Sequence, residues 1–146
     1  PEEYFYFVGK MNGMKKEAVD ERLATFERFM NGEVMGQKKY IRNFSAGNKQ
    51  KIGIVSAMLH QPELLSLDEP FNFLDPSSQS IIKQLLKKYN EETHATILIS
   101  SHNLSHTVDI CPRIALLEHG VIIKDIKNEN NSAEKELEEY FNVTVE

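Results

Sequence analysis

A short apolar run that ends in two acids constrains the fold of this chain more than any other stretch. Leu64 to Leu67 lie between Pro62 and Pro70, and the acids Asp68 and Glu69 follow the run directly. The run is too short for a helix, so it predicts a buried strand of a parallel sheet. Ligands of open parallel sheets bind beyond the carboxyl ends of the strands, and both acids lie at that end.

The two acids are expected to have different roles, because neighbouring residues of a strand point to opposite faces of its sheet. One carboxylate is well placed to hold a cation such as Mg²⁺, and the other to orient or polarise a water molecule. The alternative interpretation is a pair of solvated acids in a turn.

A second apolar run, Ala95 to Ser100, predicts another buried strand that is followed by polar residues. Between the two strands, Asp75 and Pro76 are suited to cap and begin a helix. A strand–helix–strand unit with a connection of this length is parallel and right-handed. We therefore expect Ser100 to His102 to lie near Asp68.

A helix that begins after Ser45 is the third feature with functional potential. Ser45 is a strong N-cap candidate, and the small residues after it allow backbone N–H groups to approach a ligand closely. The N-terminus of a helix with exposed amides binds anions. The alternative is an ordinary helix cap without a ligand.

The remaining segments predict helices near both ends of the chain and one hairpin. Apolar residues at helical spacing predict one helix that ends near Gly13 and another that ends at Asn31-Gly32. Glu118-His119-Gly120 predicts the turn of a β-hairpin. Asn131 is expected to cap a last helix.

Composition excludes several classes of protein. The net charge is −5 and the pI is about 5.6, with no basic block, so nucleic-acid binding through a broad cationic surface is disfavoured. The single cysteine, Cys111, excludes an internal disulfide within these residues. No apolar run approaches the roughly 18 residues that a membrane span needs. The chain opens at Pro1 without a methionine, and we expect a fragment or a processed chain.

Taken in order, these stretches resemble the nucleotide-binding subunit of ABC transporters. The matching stretches are Phe44-Ser45-Ala46-Gly47-Asn48 for the signature sequence Leu-Ser-Gly-Gly-Gln, Leu64 to Glu69 for the Walker B strand, Leu74-Asp75 for the D-loop, His102 for the switch histidine, and Glu118-His119-Gly120 for the hairpin that follows. Ala46 and Asn48 depart from the signature, and both still permit close backbone approach and hydrogen bonding.

The resemblance implies an α/β fold: a partial P-loop NTPase core with parallel strands and flanking helices, preceded by a small helical subdomain. It implies a helical subdomain with the signature helix over 1–60, the C-terminal half of the ATPase core over 61–126, and a linker with a C-terminal helix over 127–146. No Gly-x-x-x-x-Gly-Lys-Ser/Thr phosphate loop occurs in the chain. We expect that loop upstream of Pro1, so that the chain by itself binds ATP poorly.

The resemblance also implies a mechanism, which is ATP hydrolysis in a site shared by two subunits. Asp68 would hold Mg²⁺, Glu69 would polarise the attacking water, and His102 would contact the γ-phosphate. The five signature residues would close on the γ-phosphate from a second subunit, with Asp75 linking the two sites; these residues are Phe44, Ser45, Ala46, Gly47 and Asn48.

The implied partners are a second nucleotide-binding subunit and a transmembrane permease, and not nucleic acid. The implied location is the cytoplasmic face of a membrane. The form of the signature is more similar to exporter-type than to importer-type subunits, and the cargo is not indicated.

Two alternatives belong to other functional classes. ABC-type ATPases of DNA repair or chromosome organisation share these motifs, but a long coiled coil precedes their signature. Here Leu23 to Tyr40 holds no sustained heptads and contains Gly32 and Gly36. An interaction module without catalysis is disfavoured because both Asp68 and Glu69 are present.

Overall fold

The computed structural model describes the backbone of residues 1–143 and the side chains of residues 1–140, so residues 144–146 of the predicted C-terminal segment lie outside it. The chain forms two compact units, Pro1–Ser100 and Ser101–Glu146. None of the described helices combines the length and the apolar character needed to cross a membrane.

Three helices open the first unit: α1 (Glu2–Met11), α2 (Lys16–Thr25) and α3 (Glu27–Met30). The predicted end of the first helix before Gly13 and the stop at Asn31-Gly32 are confirmed, with Asn31 in the left-handed conformation at φ 51°. The second predicted helix is broken at Phe26, whose φ and ψ are −101° and 3°. The side chain of Phe26 is buried, so tertiary packing explains a break that helical spacing alone does not show.

Helix α4 (Ala46–Met58) begins where the sequence predicts it. The Ser45 hydroxyl accepts a hydrogen bond of 3.2 Å from the backbone N–H of Asn48, which is the N-cap contact expected of a serine. The predicted face of the helix is buried, including Ile52 and Val55. The cap and the buried face together fix where α4 starts and which way it faces.

Strand β1 (Leu64–Asp68), helix α5 (Pro76–Thr93) and strand β2 (Thr96–Ser100) form the predicted parallel unit. In its register Leu64 pairs with Thr96, and Asp68 pairs with Ser100.

The prediction that these strands are buried is wrong for one face. Leu65 and Leu67 are buried against the helices, but Leu64 is 60% exposed and Leu98 is 56% exposed. Side chains alternate along a strand, and only one face of this two-stranded sheet is covered among the described residues.

The second unit contains α6 (Leu104–Ile110), β3 (Arg113–Glu118), β4 (Val121–Lys127) and α7 (Ala133–Val143). The two strands are antiparallel, and His119 and Gly120 form the turn with φ of 47° and 80°. The predicted hairpin is therefore confirmed. Among the residues whose side chains the structure describes, the core of the unit is formed by Val108, Ile114, Ala133 and Leu137.

Asn128 holds this second unit together. Its side chain is buried, and its Nδ2 donates to the carbonyl oxygens of Val108 at 2.6 Å and Cys111 at 2.7 Å. Its Oδ1 accepts from the backbone N–H of Ala133, the first residue of α7, at 3.2 Å. The prediction of Asn131 as the N-cap is wrong, because Asn131 lies two residues before the helix with a φ of 62°. Asparagine tolerates that conformation, which places it in the turn rather than at the cap.

Candidate functional site

The carboxyl ends of β1 and β2 bring Asp68, Glu69 and Ser100 together. The Ser100 hydroxyl donates a hydrogen bond to Oδ1 of Asp68 and accepts one of 3.3 Å from the backbone N–H of Glu69. The same N–H also donates to the Ser100 carbonyl oxygen at 3.0 Å. The expectation that Ser100 lies near Asp68 is confirmed, and a single hydroxyl joins the two acidic residues.

Glu69 has a constrained backbone. Its φ is 46°, a left-handed conformation that is uncommon for residues other than glycine. Its carbonyl oxygen accepts hydrogen bonds from Nε2 of Gln50 at 3.1 Å and from the backbone N–H of Asn72 at 3.2 Å. Both the N–H and the carbonyl of Glu69 are hydrogen-bonded, so its backbone is held in place. The direction in which its half-buried side chain leaves the backbone is therefore set by these contacts.

The acidic end of β1 suits a magnesium ion held jointly with a phosphate ligand. Among the described residues, no group of three or more His, Cys, Asp or Glu side chains could hold a metal ion alone. Mg²⁺ usually keeps several waters and is bound by one or two carboxylates together with substrate phosphates. Asp68 presents one exposed carboxylate at the strand end, so the donor set fits that mode of binding.

The N-terminus of α4 lies beside the segment that precedes α5, and the two enclose an open concave site of about 380 Å³. The residues that line it are Glu33, Ser45, Ala46, Gly47, Asn48, Lys51, Phe73, Leu74 and Asp75. Four of the five signature residues therefore share one site with Asp75. The fifth, Phe44, is buried, and Nζ of Lys39 lies 4.2 Å from the centre of its ring.

Gly47 is required by its close contact with the backbone of Phe73. A Cβ atom at this position would lie 2.6 Å from the carbonyl oxygen of Phe73, which is closer than such atoms approach. Phe73 itself has a φ of 64°. Ala46, the departure from glycine at the preceding position, is exposed at the start of α4. The structure thus requires glycine at position 47 but not at position 46, and the sequence has glycine at position 47.

Asp75 caps α5, as predicted. Its carboxylate accepts hydrogen bonds from the Ser78 hydroxyl at 2.5 Å and from the Ser78 N–H at 3.1 Å. These two bonds, with a smaller contribution from the charge of Lys51, hold the pKa of the Asp75 carboxyl below its ordinary value. Asp75 therefore lies ionised at the edge of the concave site.

Lys51 and Glu33 line the same site, and neither is among the candidate site residues that the sequence predicts. The Lys51 side chain is 4% exposed, and its Nζ lies 3.1 Å from Oε2 of Glu33, which is half exposed. A buried lysine almost always has such a partner. Lys51 lies four residues before Val55 and hence on the buried face of α4, which is the sequence signal that could have identified it.

His102 lies in the second unit, between the end of β2 and the start of α6, and its side chain is exposed. Its predicted contact with a γ-phosphate stays a prediction. His106, four residues further on, donates its backbone N–H to the Asn103 side chain at the start of α6.

Comparison with known proteins identifies the family. A family model described as "AAA domain, putative AbiEii toxin, Type IV TA system" matches residues 5–109. An uncharacterised ABC transporter ATP-binding protein of Alkalihalophilus pseudofirmus is 36% identical over 115 residues, which are 78% of this chain and 42% of that protein. The bacitracin transport ATP-binding protein BcrA of Enterococcus faecalis is 37% identical over 118 residues, which are 78% of this chain and 35% of that protein. The chain thus spans less than half the length of these relatives.

Solved structures show the same fold. An ATP-binding subunit of an ABC transporter superposes with a TM-score of 0.83 at 24% identity, over 99% of this chain and 62% of that one. A dimeric ATP-binding cassette in a post-hydrolysis state, bound to ADP and Pi, superposes with a TM-score of 0.65 at 25% identity, over 75% of this chain and 47% of that one. The α/β fold class and the resemblance found in the sequence are confirmed. These matches show that the chain belongs to the AAA-domain family that the model describes, and that in sequence and fold it is similar to ATP-binding proteins of ABC transporters.

Proposed function

We propose that the protein carrying this chain is the ATP-binding subunit of an ABC transporter. In it, ATP hydrolysis drives a substrate across a membrane through a permease partner. The observation that carries this proposal is the pair Asp68 and Glu69 at the carboxyl end of β1, joined by the Ser100 hydroxyl and tied to α4 by Gln50. The names of the relatives, which include a bacitracin transport protein, support the coupling to transport.

Asp68 and Glu69 divide the chemistry between them. Asp68 would hold Mg²⁺ together with the phosphates of ATP, and the ion would neutralise charge on those phosphates. Glu69 orients and polarises the attacking water, and its carboxylate stabilises the positive charge that develops on that water. Its fixed backbone supports this role, since phosphoryl transfer depends mainly on positioning and electrostatic stabilisation.

The signature residues serve the site of a second subunit. The concave site at the N-terminus of α4 is lined by Ser45 and Asp75 but by neither Asp68 nor Glu69. That separation favours two half-sites on different parts of the surface, each completed by a partner. The exposed amides at the start of α4 and the Ser45 hydroxyl bind the γ-phosphate across the dimer, and His102 contacts it within its own subunit.

In this proposal residues 1–60 are the helical subdomain with the signature, 61–126 are half of the ATPase core, and 127–146 are the C-terminal segment. The helical subdomain docks on the permease at the cytoplasmic face of the membrane. An apolar stripe on α1 supports this assignment, because Tyr4, Phe7 and Met11 lie at helical spacing and are all exposed.

The 146 residues alone are not expected to bind Mg-ATP with useful affinity. They contain no phosphate loop, whose amides and lysine supply much of the binding to the β- and γ-phosphates. Titration calorimetry with this chain checks the expectation, and micromolar binding of Mg-ATP would contradict it.

The shared site is tested by placing two substitutions in full-length subunits of a dimer. Glu69→Gln removes the charge that polarises water, and Ser45→Arg blocks the signature. When both substitutions are in one chain and the partner is native, each of the two sites contains one damaged half, so ATPase activity is lost. When each chain carries one substitution, one site contains both damaged halves and the other stays intact and active. Activity that survives only when both changes share a chain would overturn the shared site.

No observation favours the alternative of a DNA-repair or chromosome-organising ATPase. That alternative requires a long coiled coil before the signature. Residues 23–40 instead form the end of α2, the four residues of α3 and a series of turns.

A further inference from the structure

We propose that Ser100 is a positioning residue of the ATPase site, whose hydroxyl orients the Asp68 carboxylate toward Mg²⁺ and holds Glu69 beside it. The inference rests on the proposed function, because it assumes that Asp68 binds the metal. It adds a residue that neither the Walker B stretch nor the switch histidine includes.

The hydrogen bonds of Ser100 assign this role. A serine hydroxyl has one proton to donate, and here the proton goes to Oδ1 of Asp68. The hydroxyl oxygen accepts the Glu69 N–H at 3.3 Å. The hydroxyl therefore has one partner in each of the two acidic residues, and its orientation is determined by both.

The sheet fixes where the hydroxyl lies. Strands β1 and β2 pair in parallel without a register shift from Leu64 and Thr96 to Asp68 and Ser100. Partners in such a register point to the same face, so Ser100 meets Asp68 as a consequence of strand pairing. A loop residue would not have this constraint.

A carboxylate binds a metal ion more tightly when a hydrogen bond to its other oxygen fixes its orientation. The Ser100 hydroxyl occupies Oδ1 of Asp68, which limits rotation of the carboxylate and leaves Oδ2 for the cation. Partners of this kind set the orientation of metal ligands, and their loss typically lowers metal affinity or activity by about 10–100-fold. Asp68 is exposed, so without the serine its carboxylate would sample several rotamers.

The experiment compares four variants of the full-length protein, each with Mn²⁺ as a paramagnetic substitute for Mg²⁺. Ser100→Ala removes the hydroxyl, and Ser100→Thr keeps it on a residue suited to strands. Asp68→Asn removes the proposed metal ligand. Ser66→Ala is the matched control, since Ser66 lies on the same exposed face two residues before Asp68 and pairs with Leu98. The affinity for Mn²⁺ is measured by electron paramagnetic resonance at saturating ATP, and the melting temperature confirms folding.

We expect Ser100→Ala to weaken Mn²⁺ binding by about 10–100-fold. Ser100→Thr should stay within about threefold of the native affinity, and Ser66→Ala should match the native protein. ATP affinity measured without metal should be the same in all four variants. If Ser100→Ala does not fold, Ser100→Cys replaces it, because a thiol is a weaker donor of similar shape.

Two results would overturn the inference, and they differ in what they say of the proposed function. Native Mn²⁺ affinity in Ser100→Ala together with lost affinity in Asp68→Asn removes the role of Ser100 and leaves the metal site at Asp68. Native affinity in both variants removes the metal role of Asp68 as well.

Discussion

Gln50 on α4 donates a hydrogen bond of 3.1 Å from its Nε2 to the carbonyl oxygen of Glu69, the residue that follows β1. The helix that begins with the signature residues is therefore bonded to the backbone of the proposed catalytic residue of the same chain. Because that backbone is left-handed at φ 46°, the bond helps to hold a conformation that costs free energy by itself.

Gln50→Ala should lower ATP turnover about fivefold in the full-length protein, with little change in ATP affinity. A typical hydrogen bond contributes about 1 kcal/mol, and the loss acts on the position of Glu69 rather than on nucleotide binding. Gln50→Glu should lower turnover further, because it places an acceptor against a carbonyl oxygen. Lys49→Ala, at an exposed neighbouring position on α4, is the control in a phosphate-release assay. Equal turnover in the Gln50 variants and the control would contradict this role.

Gly47→Ala should destabilise the first unit by about 1–3 kcal/mol, because the new methyl group would meet the Phe73 carbonyl oxygen and must displace backbone. Gly53→Ala is the matched control on the same helix. Apart from its chain neighbours and the nearby backbone of α4, no atom would lie within 4 Å of a Cβ at Gly53, so the change to alanine should stabilise α4 by up to about 1 kcal/mol. Urea unfolding measures both free energies, and a shift of the same sign for the two variants would count against the close contact.

Glu33→Gln should destabilise the protein by about 1–2 kcal/mol, because it removes the negative charge that lies against the buried ammonium of Lys51. The value lies below that for a fully buried pair, since Glu33 is half exposed. Lys51→Met should be nearly neutral, because it replaces the buried charge with an apolar side chain of similar length. Chemical denaturation tests this asymmetry, and it would be refuted if Lys51→Met were the more damaging change.

The capping contribution of Asp75 should depend on pH. Its hydrogen bonds with Ser78 lower the pKa of the folded-state carboxyl below the ordinary 3.8. Stabilisation is therefore complete above that value and is lost as the pH falls through the lower folded-state pKa. The difference in unfolding free energy between the native protein and Asp75→Asn should be constant near about pH 6 and shrink below about pH 4. A difference that does not change over this range would mean that the carboxylate does not stabilise the helix through its charge.

The parts of the fold that the sequence predicts are those governed by local chemistry. Pro62 and Pro70 limit β1, Ser45 caps α4, and Gly120 permits the hairpin turn, so each boundary follows from a nearby residue. The parallel pairing of β1 with β2 follows from the helix between them.

The parts that the sequence does not predict depend on contacts between distant residues. The bond from Gln50 to Glu69 joins positions 19 residues apart, and it exists only because α4 packs beside the end of β1. The left-handed backbone of Glu69 follows from the same packing, since no local pattern requires it. The burial of Lys51 is a further feature that the sequence does not predict. A lysine beside the signature is expected on the surface, and this one is buried because Glu33, 18 residues earlier, pairs with its ammonium group.

The three hydrogen bonds of Asn128 have a consequence for how the second unit unfolds. One side chain connects the end of α6, the residue after it and the first turn of α7. The described part of this unit has a small buried core, and the amide of Asn128 therefore contributes to its cooperativity by coupling the opening of the two helices. Amide hydrogen exchange in α6 and α7 should therefore proceed with one common opening free energy, rather than progressively from the end of the chain.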